Sequence, residues 1–128
     1  MSEIIDSYHR TCNPAFVEKF YSIFLDADPR IRPLFKNTDF EKQKGLLLHG
    51  MFVLLQYAEG KAVGKMAVDR LGESHSRTKM NIMPDMYPIW VDCLMKALAE
   101  KDPKFSPALE AKWRQALQKG IDVMMTKY

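Results

Sequence analysis

Apolar residues recur at every third or fourth position along nearly the whole chain, and nowhere do they alternate with polar residues over a β-branched stretch. Side chains three and four apart share one helix face, whereas a half-buried strand needs a period of two. The pattern therefore points to an all-α fold. Proline divides it into segments. Asn13-Pro14 and Ser106-Pro107 each set a capping side chain before a proline, which the first helical position tolerates because its missing N–H would have no partner there. Asp28-Pro29 and Asp102-Pro103 are stop signals, since the residue before proline is driven out of the α region.

Between these marks the spacing predicts a short opening helix over Glu3–Arg10 and a second from Pro14, with Phe16, Phe20, Ile23, Phe24 and Ala27 on one stripe. A single turn follows within Pro29–Phe35. Thr38 or Asp39 is placed to cap a long helix over Phe40–Glu59, whose apolar positions wrap widely, as in a helix buried on more than one side. Gly50 within it costs about 1 kcal/mol relative to alanine and suggests either close approach of a neighbouring helix, the favoured reading, or mere tolerance. Gly60 and Gly64 punctuate a loop, and a further helix runs from Lys65 to Arg77. After a non-helical link at Asn81–Pro84, two more helices run from Asp85 or Met86 to Glu100 and from Pro107 to Tyr128. Neither an internal repeat nor a low-complexity segment is present.

At 128 residues the chain is expected to form one domain, residues 1–128. Its net charge of +3 is spread out, without the basic stripe and interleaved aromatics of a nucleic-acid surface. Cys12 and Cys93 form no CxxC pair, which argues against a structural zinc site or a disulfide framework and suits a reducing compartment. The longest uncharged run, Gly45–Ala58, is 14 residues, short of the roughly 20 that a membrane span needs. No signal-peptide core precedes it. The expectation is a soluble, cytoplasmic protein without nucleic-acid or membrane partners. Nine Met and seven Phe suit either a methionine-filled core or a cofactor pocket with soft walls.

One constellation favours the pocket. A histidine on an apolar helix face is ordinarily a packed core residue. His75, however, lies near the end of its segment, with Leu71 one turn earlier and Gln43 and Leu47 thirty-two and twenty-eight residues upstream. Tyr21 and Phe35 bracket the proline-rich corner before them. A haem iron with one protein ligand needs a neutral imidazole on a rigid helix, its other nitrogen held by an acceptor, for which the Leu71 carbonyl is placed. On the ligand side, hydrogen-bond donors decide whether oxygen is held or lost. Gln43 and Leu47, one turn apart, offer a polar gate and an apolar wall. Arg77 and Lys79 are placed either to pair with haem propionates or to face solvent. His9 reads as surface, Trp90 and Trp113 as core, and His49, about 240° around the helix from Gln43, as out of reach of the iron.

These residues resemble the bacterial single-domain globins and the globin domains of flavohaemoglobins. Phe20-Tyr21-x-x-Phe24 with Asp28-Pro29-x-x-Arg32-Pro33-Leu34-Phe35 is similar to that family's second and third helices, Gln43-x-x-x-Leu47 to its distal pair, and Tyr87-Pro88 with Leu94 and Leu98 to its penultimate helix. The resemblance implies a globin fold, three-over-three with a shortened first helix, holding haem b. It implies Tyr21 and Gln43 as distal donors, Phe35 packed flat on the haem, Leu47 as distal wall, His75 as the iron ligand, and Ile82 and Tyr87 on the proximal side. The glycine pairs of truncated globins are missing. So is the last-helix Glu that makes the imidazole more basic in flavohaemoglobins, which disfavours peroxidase-like chemistry. The His75–Tyr87 segment is about two residues longer than in those relatives.

The implied function is reversible binding of O2, NO or CO at haem. The same pocket permits NO dioxygenation if a separate reductase supplies electrons, since 128 residues leave no room for a flavin domain. A haem-based gas sensor acting through a protein partner is the alternative, and a helical adaptor without haem is the non-cofactor reading. A monomer or weak homodimer is expected.

Overall fold

Three helices start where a capping side chain was expected, in a computed structural model that describes residues 3–128. Asn13 accepts a hydrogen bond from the Phe16 N–H at 3.0 Å and opens α2 (Pro14–Phe24). Asp39 accepts from the Glu41 N–H at 3.0 Å and opens α4 (Phe40–Ala58), and Ser106 accepts from the Leu109 N–H at 3.1 Å and opens α7 (Pro107–Thr126). Each cap satisfies one of the N–H groups that a helix start leaves without a partner. The other helices are α1 (Glu3–Thr11), the single turn α3 (Ile31–Leu34), α5 (Ala62–Ser74) and α6 (Met86–Lys101), and no strand occurs among the described residues. None of the helices is long and apolar enough to cross a membrane.

The helices form two layers, α1, α4 and α5 over α2, α6 and α7, with α4 and α5 both packed on α7 and α2 lying along α6. Trp113, Phe16, Phe20, Ile31, Met51, Leu55, Leu94 and Leu117 are fully buried between them. This is the three-over-three globin arrangement, with a first helix of only 9 residues.

A short α1 is held by a buried polar cluster that proline punctuation alone does not reveal. Asp102, read from sequence as a chain break, is 4% exposed. It receives two hydrogen bonds from the Arg10 guanidinium at 2.8 Å, one from the Ser7 hydroxyl at 2.6 Å and one from the Lys104 N–H at 2.9 Å. Trp113 Nε1 donates to the Ser7 oxygen at 3.1 Å, so α1, the α6–α7 corner and the core indole share one network. Tyr8 adds a bond from its hydroxyl to the Leu48 carbonyl of α4 at 3.0 Å. Burial alone pushes the Asp102 carboxyl up, but the hydrogen bonds outweigh it and hold the group at about 2. Its ionised form is therefore a folded-state asset above the ordinary carboxylate range, lost as pH falls toward 2. Asp102→Asn should lower stability at pH 7 by about 2–4 kcal/mol, the cost of stranding buried donors. Denaturant titrations should show that deficit shrinking between pH 4 and pH 2; a deficit independent of pH would count against this role.

Two glycines differ from expectation. Gly64 lies inside α5, which begins three residues earlier than the sequence suggests; its N-cap, Lys61, makes no side-chain cap, so no capping residue marks that start in the sequence. The bare Cα lets the start of α5 rest on the end of α4: a Cβ there would sit 2.6 Å from the Tyr57 nitrogen. Gly64→Ala should lose about 1–2 kcal/mol, as overpacking against backbone exceeds alanine's helix preference of about 1 kcal/mol, and thermal melts will read it. Gly50, by contrast, has nothing within 4 Å of its would-be Cβ. No helix approaches it; it faces a cavity. The end of α5 also moves: the helix stops at Ser74, and His75 is its C-cap.

Candidate functional site

The cavity that Gly50 faces has a volume of about 620 Å³ and mostly apolar walls. It runs between α2, α4, the end of α5, the start of α6 and the last turns of α7. Tyr21, Phe35, Gln43, Leu47, His75, Ile82 and Tyr87, seven residues singled out from sequence, all line it. The eighth does not. Arg77 lies outside, its guanidinium carbon 4.8 Å from the centroid of the Tyr128 ring, because the chain turns away from the cavity immediately after His75.

His75 is oriented by its own helix. Its Nδ1 lies 2.7 Å from the Leu71 carbonyl oxygen and 3.1 Å from the Ser74 hydroxyl, which itself donates to the same carbonyl at 2.9 Å. A carbonyl can only accept, so Nδ1 carries the proton and Nε2 keeps its lone pair. Burial pushes the imidazole below its ordinary value, partly offset by the bond to Leu71, so the ring is neutral at pH 7. A neutral imidazole with one nitrogen fixed and the other free is the form that ligates a metal.

The donor pair is more specific than the sequence conveys. Gln43 Nε2 donates to the Tyr21 oxygen at 3.0 Å. The phenol therefore receives one bond and keeps its own proton to give. Burial raises the Tyr21 phenol above its ordinary value, with the Gln43 bond lowering it in part, so the group stays protonated across the neutral range. Tyr21 is clamped by Phe35 and Phe40, whose ring centroids lie 5.7 and 5.5 Å away in edge-on contacts, with Phe35 and Phe40 stacked on each other at 6.0 Å. Tyr87, at the start of α6, is pushed up to about 12 by burial and is likewise neutral.

Sequence reasoning missed several walls. Trp90, assigned to the core, lines the cavity, as do Phe24, Met86, Ile121 and Met124. His49 is also on the wall. The cavity embraces a wide arc of α4, including Gln43, Leu46, Leu47, Gly50 and Leu54, and His49 occupies the exposed edge of that arc beside Leu46, itself 61% exposed. The same helical period that found Gln43 and Leu47 contained these positions; what it lacked was the width of the ligand slot.

An apolar slot of this size, with a tautomer-fixed imidazole from one helix and a hydrogen-bond donor pair from two others, fits a flat iron porphyrin. The chain belongs to the globin family: the Globin family model matches residues 18–124. Globins hold haem and bind small gas molecules on it. Among solved structures, the chain is similar to the crystal structure of PA3967 from Pseudomonas aeruginosa PAO1, a protein described as structurally highly homologous to a human haemoglobin. The two share 37% identity and a TM-score of 0.92, over 98% of this chain and 95% of that one. Among curated protein sequences none matches this chain significantly.

Proposed function

We propose that this globin holds haem b through His75 and binds O2 reversibly under Tyr21 and Gln43. The observation that carries the reading is the neutral phenol–carboxamide pair set in an otherwise apolar cavity with a tautomer-fixed imidazole. Haem, when held by His75, would supply an iron able to bind small diatomic gases. Tyr21 would be the donor to a bound ligand that gathers negative charge, with Gln43 polarising the phenol from behind. Leu47 and Phe35 keep water from competing for that proton. The Leu71 carbonyl holds His75 as a neutral imidazole rather than an imidazolate, which favours holding oxygen over cleaving it.

The carboxylates of the porphyrin must stay solvated, since no Lys or Arg side chain lines the cavity. The exposed mouth, where Leu34, Leu46 and Met80 form an apolar rim with His49 at its edge, would be the side on which those carboxylates reach water. The same pocket supports conversion of NO and O2 to nitrate. Repeated turnover of that reaction would need electrons from a separate reductase. The protein is expected to work in the cytoplasm as a monomer or weak homodimer.

Ultraviolet–visible spectra of protein expressed with adequate haem test the reading. A Soret band, a five-coordinate spectrum on reduction with dithionite and a stable adduct with O2 or CO are expected. Protein that purifies without a Soret band under those conditions overturns it.

A further inference from the structure

The last residue of α7's course does something the haem reading leaves unexplained. The Tyr128 hydroxyl donates to Asn81 Oδ1 at 2.7 Å, the Arg77 cation covers the Tyr128 ring, and the Arg77 N–H donates to the Tyr128 carbonyl at 3.4 Å. Lys127 adds an ion pair to Asp69 of α5 at 3.7 Å. This approach depends on Gly72, where a Cβ would come within 3.0 Å of Met124 Cα and 2.7 Å of Lys127 Cγ. The contacts of Tyr128 converge on the turn that follows His75, while Lys127 and Met124 pack on α5 itself.

That turn finishes α5. Its N–H groups satisfy carbonyls that the helix end leaves open: Met80 donates to Ser74 at 3.2 Å, Asn81 to Ser76 at 2.8 Å and Ile82 to His75 at 3.0 Å. To do so, Asn81 adopts a left-handed conformation, φ 52°, which asparagine tolerates better than other non-glycine residues. The Asn81 side chain is the one Tyr128 grips. Ile82, the next residue, lines the cavity.

We propose that Tyr128 is a positioning residue for His75: by fastening Asn81 and Arg77 it keeps the 76–82 turn closed over the end of α5, and the turn in turn fixes the imidazole and the Ile82 wall. The proposal rests on His75 as the iron ligand. A helix end that frays would let the Leu71–His75 bond open and the imidazole rotate, loosening its hold on haem. The extra length between His75 and Tyr87 is then the material of this clasp, and Arg77 serves Tyr128 rather than a porphyrin carboxylate.

The test compares wild-type holoprotein with Tyr128→Phe, Asn81→Gly and the double variant. The first removes one hydroxyl, and the second removes its acceptor while permitting the same backbone conformation. Loss of this one bond should speed amide hydrogen exchange at Asn81 and Ile82 about fivefold and haem release to an excess of acceptor apoglobin about threefold. The iron–histidine stretching band of the ferrous protein should shift or broaden in Raman spectra, and the double variant should do no worse than the worse single. Unchanged exchange at Asn81 and Ile82 in Tyr128→Phe overturns the clasp. Faster exchange with unchanged haem release and an unchanged iron–histidine band overturns the positioning role. A wild-type protein without haem instead refutes His75 as iron ligand, and hydrogen exchange then still reports separately on whether the clasp exists.

Discussion

His75→Ala protein should purify without a Soret band, and His75→Gly should regain one when imidazole is added to the medium. Loss of a partner that merely orients a metal ligand costs roughly 10–100-fold in affinity, and loss of the ligand itself should exceed the upper end of that range. The geometry makes the expectation specific to this histidine. Three histidines are present in the chain; His9 is exposed on α1, and His49 sits at the exposed edge of the cavity wall. Only His75 has its Nδ1 committed to a helix carbonyl, at 2.7 Å. His49→Ala is therefore the paired control and should keep its Soret band. A retained, imidazole-independent band in His75→Ala, with unchanged coordination on reduction, would show that another residue ligates the iron.

Tyr21→Phe should raise the O2 dissociation rate more than tenfold, a loss of over about 1.4 kcal/mol, measured by stopped flow. A hydrogen bond to a group that gathers charge in an apolar enclosure is worth more than an ordinary one. The relay from Gln43 to Tyr21 refines this into a ranking. Because Gln43 donates to the phenol oxygen at 3.0 Å, its removal weakens the donor without deleting it. Gln43→Leu should therefore raise the rate by less, about two- to fivefold. The reverse order would mean that the carboxamide, not the phenol, faces the ligand. Unchanged rates in both variants would remove the pair from oxygen binding.

Much of this site was legible before any coordinates. Gln43 and Leu47 share a helix face because they are one turn apart, and the Leu71 carbonyl meets His75 for the same local reason. Helix starts at Asn13, Asp39 and Ser106 are equally local, since each is one side chain satisfying a backbone N–H two or three residues on. The errors are of another kind. Gly50 was read as a helix contact and Gly64 as loop, yet Gly50 opens onto the cavity and Gly64 meets Tyr57. Trp90 reads as core from its helical period, yet it lines the cavity.

The sequence by itself determined the helical class and the segments, because these follow from periodicity, capping and spacing along one chain, and its resemblance to bacterial globins pointed to the residues that line the cavity. Only the tertiary structure decided what those residues do to one another. It set the direction of the Gln43–Tyr21 bond, turned Arg77 toward Tyr128, gathered Ser7, Arg10 and Trp113 around Asp102, and closed the turn behind His75. Each of these is a contact between segments far apart in sequence, whose energy depends on a distance that no local pattern encodes.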